Sequence, residues 1–150
     1  MTTAIAGEDV YAIAQDVFSA MIDGETDTLF PWDGEVPAWG SPLVAWVDLS
    51  GDWDGRAALT TETETAHDLA RALLGLPSGS PVSDEDLVDA FGEIVNVVGG
   101  NIKSLLPTTG KLSLPHVADS EPVLAGSVEV AELRLSWKGR PLTLIVHGVP

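Results

Sequence analysis

The stretch Asp89-Ala90-Phe91-Gly92-Glu93-Ile94-Val95-Asn96-Val97-Val98-Gly99-Gly100-Asn101-Ile102-Lys103 alternates apolar and polar residues with the period of an α-helix. At about 100° of rotation per residue, a helix from residue 84 to about residue 106 gathers Leu87, Val88, Phe91, Ile94, Val95, Val98, Ile102, Leu105 and Leu106 into one arc. That arc spans roughly 120°, wide enough to lie on a sheet. Asp89, Glu93, Asn96 and Gly100, at i, i+4, i+7 and i+11, fall within roughly 60° on the opposite face and are expected to meet solvent. Ser83 is a good N-cap, Asp84, Glu85 and Asp86 complement the positive helix end, and Pro107 stops the helix. The glycines are the oddity, since each disfavours a helix interior by about 1 kcal/mol against Ala. Gly100, one turn beyond Asn96, leaves room for another molecule to approach, whereas Gly92 and Gly99 lie off the polar stripe and are expected to serve helix packing.

Working outward, Val10, Ile13, Val17, Phe18, Met21 and Ile22 recur at helical spacing with Gly24 beyond them, which predicts a first amphipathic helix. Pro31, Gly34, Pro37, Gly40 and Pro42 break residues 30–42 into an ordered loop. Residues 43–49 and 56–60 read as a hairpin about the turn Ser50-Gly51-Asp52-Trp53-Asp54-Gly55. A second helix over residues 63–74 ends at Gly75, and Pro77-Ser78-Gly79-Ser80-Pro81 links it to the long helix. Residues 111–114, 126–137 and 141–146 read as strands, the last two joined at Lys138-Gly139-Arg140. Trp32, Trp39, Trp46 and Trp53 are spaced by seven, but Pro and Gly interrupt every interval, so no heptad helix is expected. The fold class is therefore α/β (α+β), an antiparallel sheet covered by three helices, with residues 1–150 forming one domain.

Composition narrows the function. The chain carries 23 acidic and 7 basic residues, a formal charge of −16, which repels nucleic acids and anionic membranes alike. Its acidity fits solubility or electrostatic steering and does not name a partner. The absence of cysteine excludes disulfides, thiolate catalysis and Cys-based zinc sites. His67, His116 and His147 lie in different elements without metal-ligand spacing, so no metal is expected. No GxSxG elbow, GxGxxG or GxxxxGK[ST] loop occurs. The opening Met1-Thr2-Thr3-Ala4-Ile5-Ala6 has no basic leader region, and no segment reaches the roughly 20 apolar residues of a membrane helix. A cytoplasmic protein is expected.

An Asn amide offers both a donor and an acceptor, so it holds a water in place without serving as a strong base. Phosphoryl hydrolysis requires little more of a partner, because orientation and electrostatics dominate its barrier. A Glu and an Asn on an outward helix face are commonplace, and on their own they favour a plain solvated face. Their setting is more specific: an acidic position at Asp89, then Glu93-Ile94-Val95-Asn96, then Gly99 and Gly100, resembles the signature of the CheC/CheX/FliY phosphatase family, an acidic or Ser residue followed by ExxN and Gly. The order of turn, second helix and late strands is similar as well, so the resemblance covers most of the chain from Leu43 onward.

The resemblance implies a phosphatase acting on the aspartyl phosphate of a CheY-like response regulator. Glu93 and Asn96 are then the catalytic pair, Glu93 engaging a basic residue of the receiver domain and Asn96 orienting the attacking water. Asp89, Val97 and Gly100 are expected to contact the partner. The second helix, Thr65-Ala66-His67-Asp68-Leu69-Ala70-Arg71-Ala72-Leu73-Leu74, lacks ExxN, and one site per chain is similar to the homodimeric CheX members. The late stretch Val128-Glu129-Val130-Ala131-Glu132-Leu133-Arg134-Leu135 is long enough to extend a sheet between two chains. No cofactor is expected in this chain, Mg2+ belonging to the receiver. The alternative is a non-catalytic interaction module that binds a receiver domain or another signalling protein.

Overall fold

The computed structural model of the chain describes residues 5–25, 28–106 and 110–149. Pro107 and the first four residues, both used in the sequence reading, lie outside these. Helix α1 (Gly7–Val17) runs straight into a π-helical turn (Phe18–Asp23), which ends at Gly24 in the left-handed region with φ 67°. Among the described residues seven strands follow in one sheet: β1 (Leu29–Pro31), β2 (Pro42–Ser50), β3 (Asp54–Glu62), β4 (Lys111–Leu112), β5 (His116–Ala118), β6 (Val128–Trp137) and β7 (Arg140–Val149). Helices α2 (Thr63–Leu74) and α3 (Asp84–Lys103) lie between β3 and β4 in the chain. The strand order is β1-β6-β7-β3-β2-β4, with β5 also on β2, and every pairing is antiparallel.

Strand alternation gives the sheet two different faces. Ala45, Val47 and Leu49 of β2, Ala57 and Leu59 of β3, Leu142, Leu144 and Val146 of β7 and Leu135 and Trp137 of β6 are buried with Phe91, Ile94, Val95, Val98 and Ile102 of α3 in one core. Helix α1 adds Val10, Ala14 and Val17, and α2 adds Ala66, Leu69 and Ala70. Two polar ties fix the periphery: the Tyr11 hydroxyl donates to the Leu29 carbonyl at 3.0 Å, and the Trp137 indole donates to the Asp23 carboxylate at 3.1 Å. Helix α2 stops in a Schellman arrangement, with Leu76 N–H bonded to Arg71 O at 2.8 Å and Gly75 at φ 70°.

On the other face, Trp46 stacks on His116 with ring centroids 5.4 Å apart. Beside it Arg56, 5% exposed, bonds the Asp48 carboxylate at 2.6 and 3.2 Å, Glu121 at 3.1 Å and the Pro122 carbonyl. Residues 119–127 must cross from β5, beside β2, to β6, beyond β7, and Arg56 holds them down in passing.

Several boundaries depart from the sequence expectation for physical reasons. The loop assigned to residues 30–42 begins within β1, whose three residues pair with Leu135, Ser136 and Trp137 of β6. Strand β4 keeps only Lys111 and Leu112, and β5 was not anticipated. Helix α3 ends at Lys103 because Ser104 Oγ donates to the Gly100 carbonyl at 3.1 Å and Leu105 N–H turns back to Ile102 O. Leu105 thus leaves the helical arc, and Val88, at the edge of that arc, is 46% exposed. The β6–β7 hairpin closes on Lys138 and Gly139 alone, with φ 52° and 78°, the two left-handed residues of a type I′ turn.

The helix glycines separate as expected. A Cβ on Gly99 would lie 2.4 Å from Val47 Cγ2, and one on Gly92 would lie 3.3 Å from Pro115 Cβ, so these residues let α3 approach its neighbours closely. A Cβ on Gly100 would meet nothing nearer than Leu112 Cδ2 at 4.0 Å. Val47 is fully buried and stiff about χ1, so it has no easy way to yield. Gly99→Ala is expected to destabilise the protein by about 1–3 kcal/mol through overpacking. Gly100→Ala should instead stabilise it by up to about 1 kcal/mol through helix propensity. Urea unfolding midpoints check the pair, and shifts in the same direction would contradict the packing role of Gly99.

Candidate functional site

Helix α3 carries the site because its two faces are so unlike. Ser83 Oγ accepts from Asp86 N–H at 3.1 Å, and Asp84, Glu85 and Asp86 occupy the first turn at the positive end of the macrodipole. With the apolar arc on the sheet, Asp89 and Glu93 stand exposed and Asn96 and Gly100 half-exposed along the opposite ridge. Val97 is half-buried and packs against the edge of the core, so only part of it is open to a partner. The structure thus brings Asp89, Glu93, Asn96 and Gly100 together on one strip and leaves Val97 at its margin.

The two asparagines of the helix differ in a way that decides which one is available. Asn101 Nδ2 donates to the Val97 carbonyl at 2.9 Å and is occupied within its own helix. Among the described residues, neither the Asn96 amide nor the Glu93 carboxylate has a hydrogen-bond or ion-pair partner. An amide with donor and acceptor both free, fixed on a well-packed helix, is prepared to engage polar atoms of another molecule.

A segment that the sequence reading takes in part as a strand, without assigning it to the site, borders this strip. Leu112 lies against Gly99 and Gly100, and Pro115 against Gly92. Seven helical residues at about 1.5 Å and three extended ones at about 3.3 Å both span roughly 10 Å, so residues 112–115 run alongside the turns that carry Asn96. Ser113 anchors the segment to β2: its N–H bonds Asp48 O at 2.8 Å, its Oγ accepts from Asp48 N–H at 2.9 Å and donates to Leu114 O at 2.9 Å. Pro115 sits against the bare Gly92, a tertiary contact that no periodic signal in the sequence marks.

A cavity among the described residues lies elsewhere. It has a volume of about 630 Å³ and is lined by Glu62, Thr65, His67, Asp68, Arg71 and Arg140, among others. Its polar groups serve one another. Asp68 receives hydrogen bonds from Arg71 at 2.6 Å and from Arg140, Arg71 Nε donates to Ser80 O, and Glu62 accepts from Gly40 N–H at 2.8 Å. Burial pushes the Asp68 carboxyl up, but hydrogen bonds and charge from Arg140 and Arg71 more than offset this and hold it below the usual range. A carboxylate so committed to two guanidinium groups is a structural tie rather than an acid or base for neutral pH. His67 Nδ1 lies 2.8 Å from Thr63 O, His116 stacks on Trp46, and His147 lines a smaller cleft with Arg56 and Glu121. The three histidines therefore have separate roles.

The fold recurs in known structures. The chain is similar to chemotaxis protein CheX from Vibrio vulnificus, at 19% identity and a TM-score of 0.69 over 94% of each chain. It is similar to the CheX-CheY-BeF3-Mg complex from Borrelia burgdorferi, at 15% identity and a TM-score of 0.71 over 95% of this chain and 97% of that one. A CheC-like superfamily protein from Shewanella sp. PV-4 matches at 17% identity and a TM-score of 0.68, covering 94% of this chain and 95% of the other. No curated protein sequence matches the chain. The family model described as Chemotaxis phosphatase CheX matches residues 43–132, from the first strand of the β2–β3 hairpin through α3 into β6. An antiparallel sheet under three helices, an ExxN pair displayed on the outer ridge of the longest of them and a family match over more than half its length together mean that the chain belongs to the CheX family of chemotaxis phosphatases.

Proposed function

We propose that this protein hydrolyses the aspartyl phosphate of a CheY-like receiver domain, with Asn96 orienting the attacking water and Glu93 holding the receiver. The observation that carries this reading is the free Asn96 amide on a convex ridge, away from the cavity lined by Asp68 and Arg71. Small substrates are bound in concavities, so a reactive group on a ridge acts by entering the cavity of a macromolecular partner. Membership of the CheX family and the Borrelia complex, which pairs a CheX with a CheY, support such a partner. The half-exposed backbone at Gly100, one turn from Asn96, leaves space for that approach.

In this mechanism the Asn96 carbonyl oxygen accepts a hydrogen bond from water and holds its oxygen in line with phosphorus. A P–O bond forms to that water, the bond to the aspartyl oxygen breaks, and the carboxylate leaves while the water's proton passes to the phosphate. Any Mg2+ is the receiver's, and this chain contributes an amide and a carboxylate. Single-turnover phosphate release from a magnesium-loaded phosphorylated receiver, at saturating protein, tests the roles. Asn96→Ala should lower the maximal rate by on the order of 100-fold, the scale for one well-placed polar group, with receiver binding nearly intact. Glu93→Ala should chiefly weaken association, and added salt should weaken the wild-type complex by screening its exposed charge. Equal rates with wild type and Asn96→Ala would remove Asn96 from the mechanism. Equal rates with and without wild-type protein would leave a binding module.

The functional unit in this reading is a homodimer. Strand β1 covers β6 only at residues 135–137, so among the described strands none pairs with the outer edge of residues 128–133. Val128, 54% exposed, begins that edge, and a bulge between Glu129 and Ala131 shapes it. Light scattering at micromolar concentration should give about twice the 15.7 kDa chain mass. A 15.7 kDa species alone would count against the dimer.

A further inference from the structure

Leu114 is 82% exposed although the backbone on either side of it is firmly held. Ser113 makes three hydrogen bonds to Asp48 and to the Leu114 carbonyl, and Pro115 packs 3.3 Å from the position of a Cβ on Gly92. An apolar side chain on a loose loop needs no explanation, but one held out from an anchored segment has already lost the backbone freedom that binding would otherwise remove. Residues 112–115 run beside the turns of α3 that carry Asn96, and Val88, also exposed, lies one turn before Gly92 on the same flank. The polar strip of Asp89, Glu93 and Asn96 therefore has an apolar border on the side of the 112–115 segment.

We propose that Leu114, assisted by Val88, is the apolar anchor by which this protein seats a receiver domain around Asn96. The proposal rests on the receiver reading above and adds to it the residue that fixes register. Glu93 attracts and orients through charge, which water screens, whereas a leucine contributes only once the two surfaces have closed and water has left. The occupant follows from continuity: a receiver brought close enough for its acyl phosphate to reach Asn96 also covers the segment alongside that residue. Because the anchor acts on docking, its signature is in affinity rather than in the chemical step.

The test measures both binding to a magnesium- and beryllofluoride-loaded receiver by calorimetry and single-turnover dephosphorylation across receiver concentrations, over a panel of receiver domains. Leu114→Ala should raise the dissociation constant and the half-saturating receiver concentration about tenfold, with the maximal rate changed at most twofold. Leu114→Met should restore wild-type affinity. Val123→Ala removes an even more exposed apolar side chain from the segment that crosses the opposite face of the sheet, and it should change neither quantity. Wild-type affinity in Leu114→Ala, or an equal loss in Val123→Ala, would overturn the anchor while leaving the phosphatase reading intact. A wild-type protein that binds no receiver in the panel would remove both.

Discussion

The architecture depends on the approach of α3 to β2 at Gly99, where an added methyl group would lie 2.4 Å from Val47. Two glycines at packing positions weaken the helix by about 2 kcal/mol together relative to alanine. Burial of Phe91, Ile94, Val98 and Ile102, at about 1.5–3 kcal/mol each, outweighs that several times over. A helix seated this deeply has little freedom to roll or lift. Its outer ridge consequently inherits the rigidity of the sheet, and the ridge residues keep their phase relative to it.

Under the proposed mechanism rigidity matters, because the ridge would contribute so little chemistry of its own. The Asn101 amide is consumed by the Val97 carbonyl, and the Ser104 hydroxyl by the Gly100 carbonyl, so these two side chains are committed to backbone. Asn96 is left with both amide atoms free at the level where Leu112 to Pro115 run beside the helix. The glycine side of α3 thus serves two purposes: Gly99 admits the sheet, and Gly92 admits the residue that ends the bordering segment. The same absence of side chains that sets the helix depth brings an apolar rim next to the polar strip.

What was legible in the sequence tracks the length over which a physical signal repeats. Twenty residues of α3 carry the helical period several times, so its faces, its Ser83 cap and the outward direction of Glu93 and Asn96 could be placed from periodicity, whereas only the resemblance to the CheC/CheX/FliY signature singled those two out as a pair. Helix α2 matches residue for residue because Gly75 supplies an unambiguous left-handed stop. Strands β1 and β5 have three residues each and β4 two, too few for alternation to register, and each exists only because a distant strand offers an edge. Val88 satisfies the helical arc but is left half out, since periodicity gives direction and not the extent of the surface opposite. The register between residues 112–115 and α3 is likewise a tertiary fact, set by Ser113 bonding to Asp48 some 65 residues earlier.

A convex site changes what the rest of the molecule must provide. An enzyme that encloses its substrate needs a cavity, a general base and often a metal; one that completes a partner's site needs only to deliver a group in the correct place. The first turn of α3, with Asp84, Glu85 and Asp86, and the exposed Asp89 and Glu93 beyond it make one edge of the ridge continuously acidic. That edge favours a partner presenting cationic groups and repels one that does not, which selects among encounters before any close contact forms. Long-range charge cannot set the position of a water molecule to a fraction of an ångström. In the proposed mechanism that task falls to short-range packing, through the seat of α3 on Val47 within the chain and, at the proposed receiver interface, through the apolar surface beside Asn96.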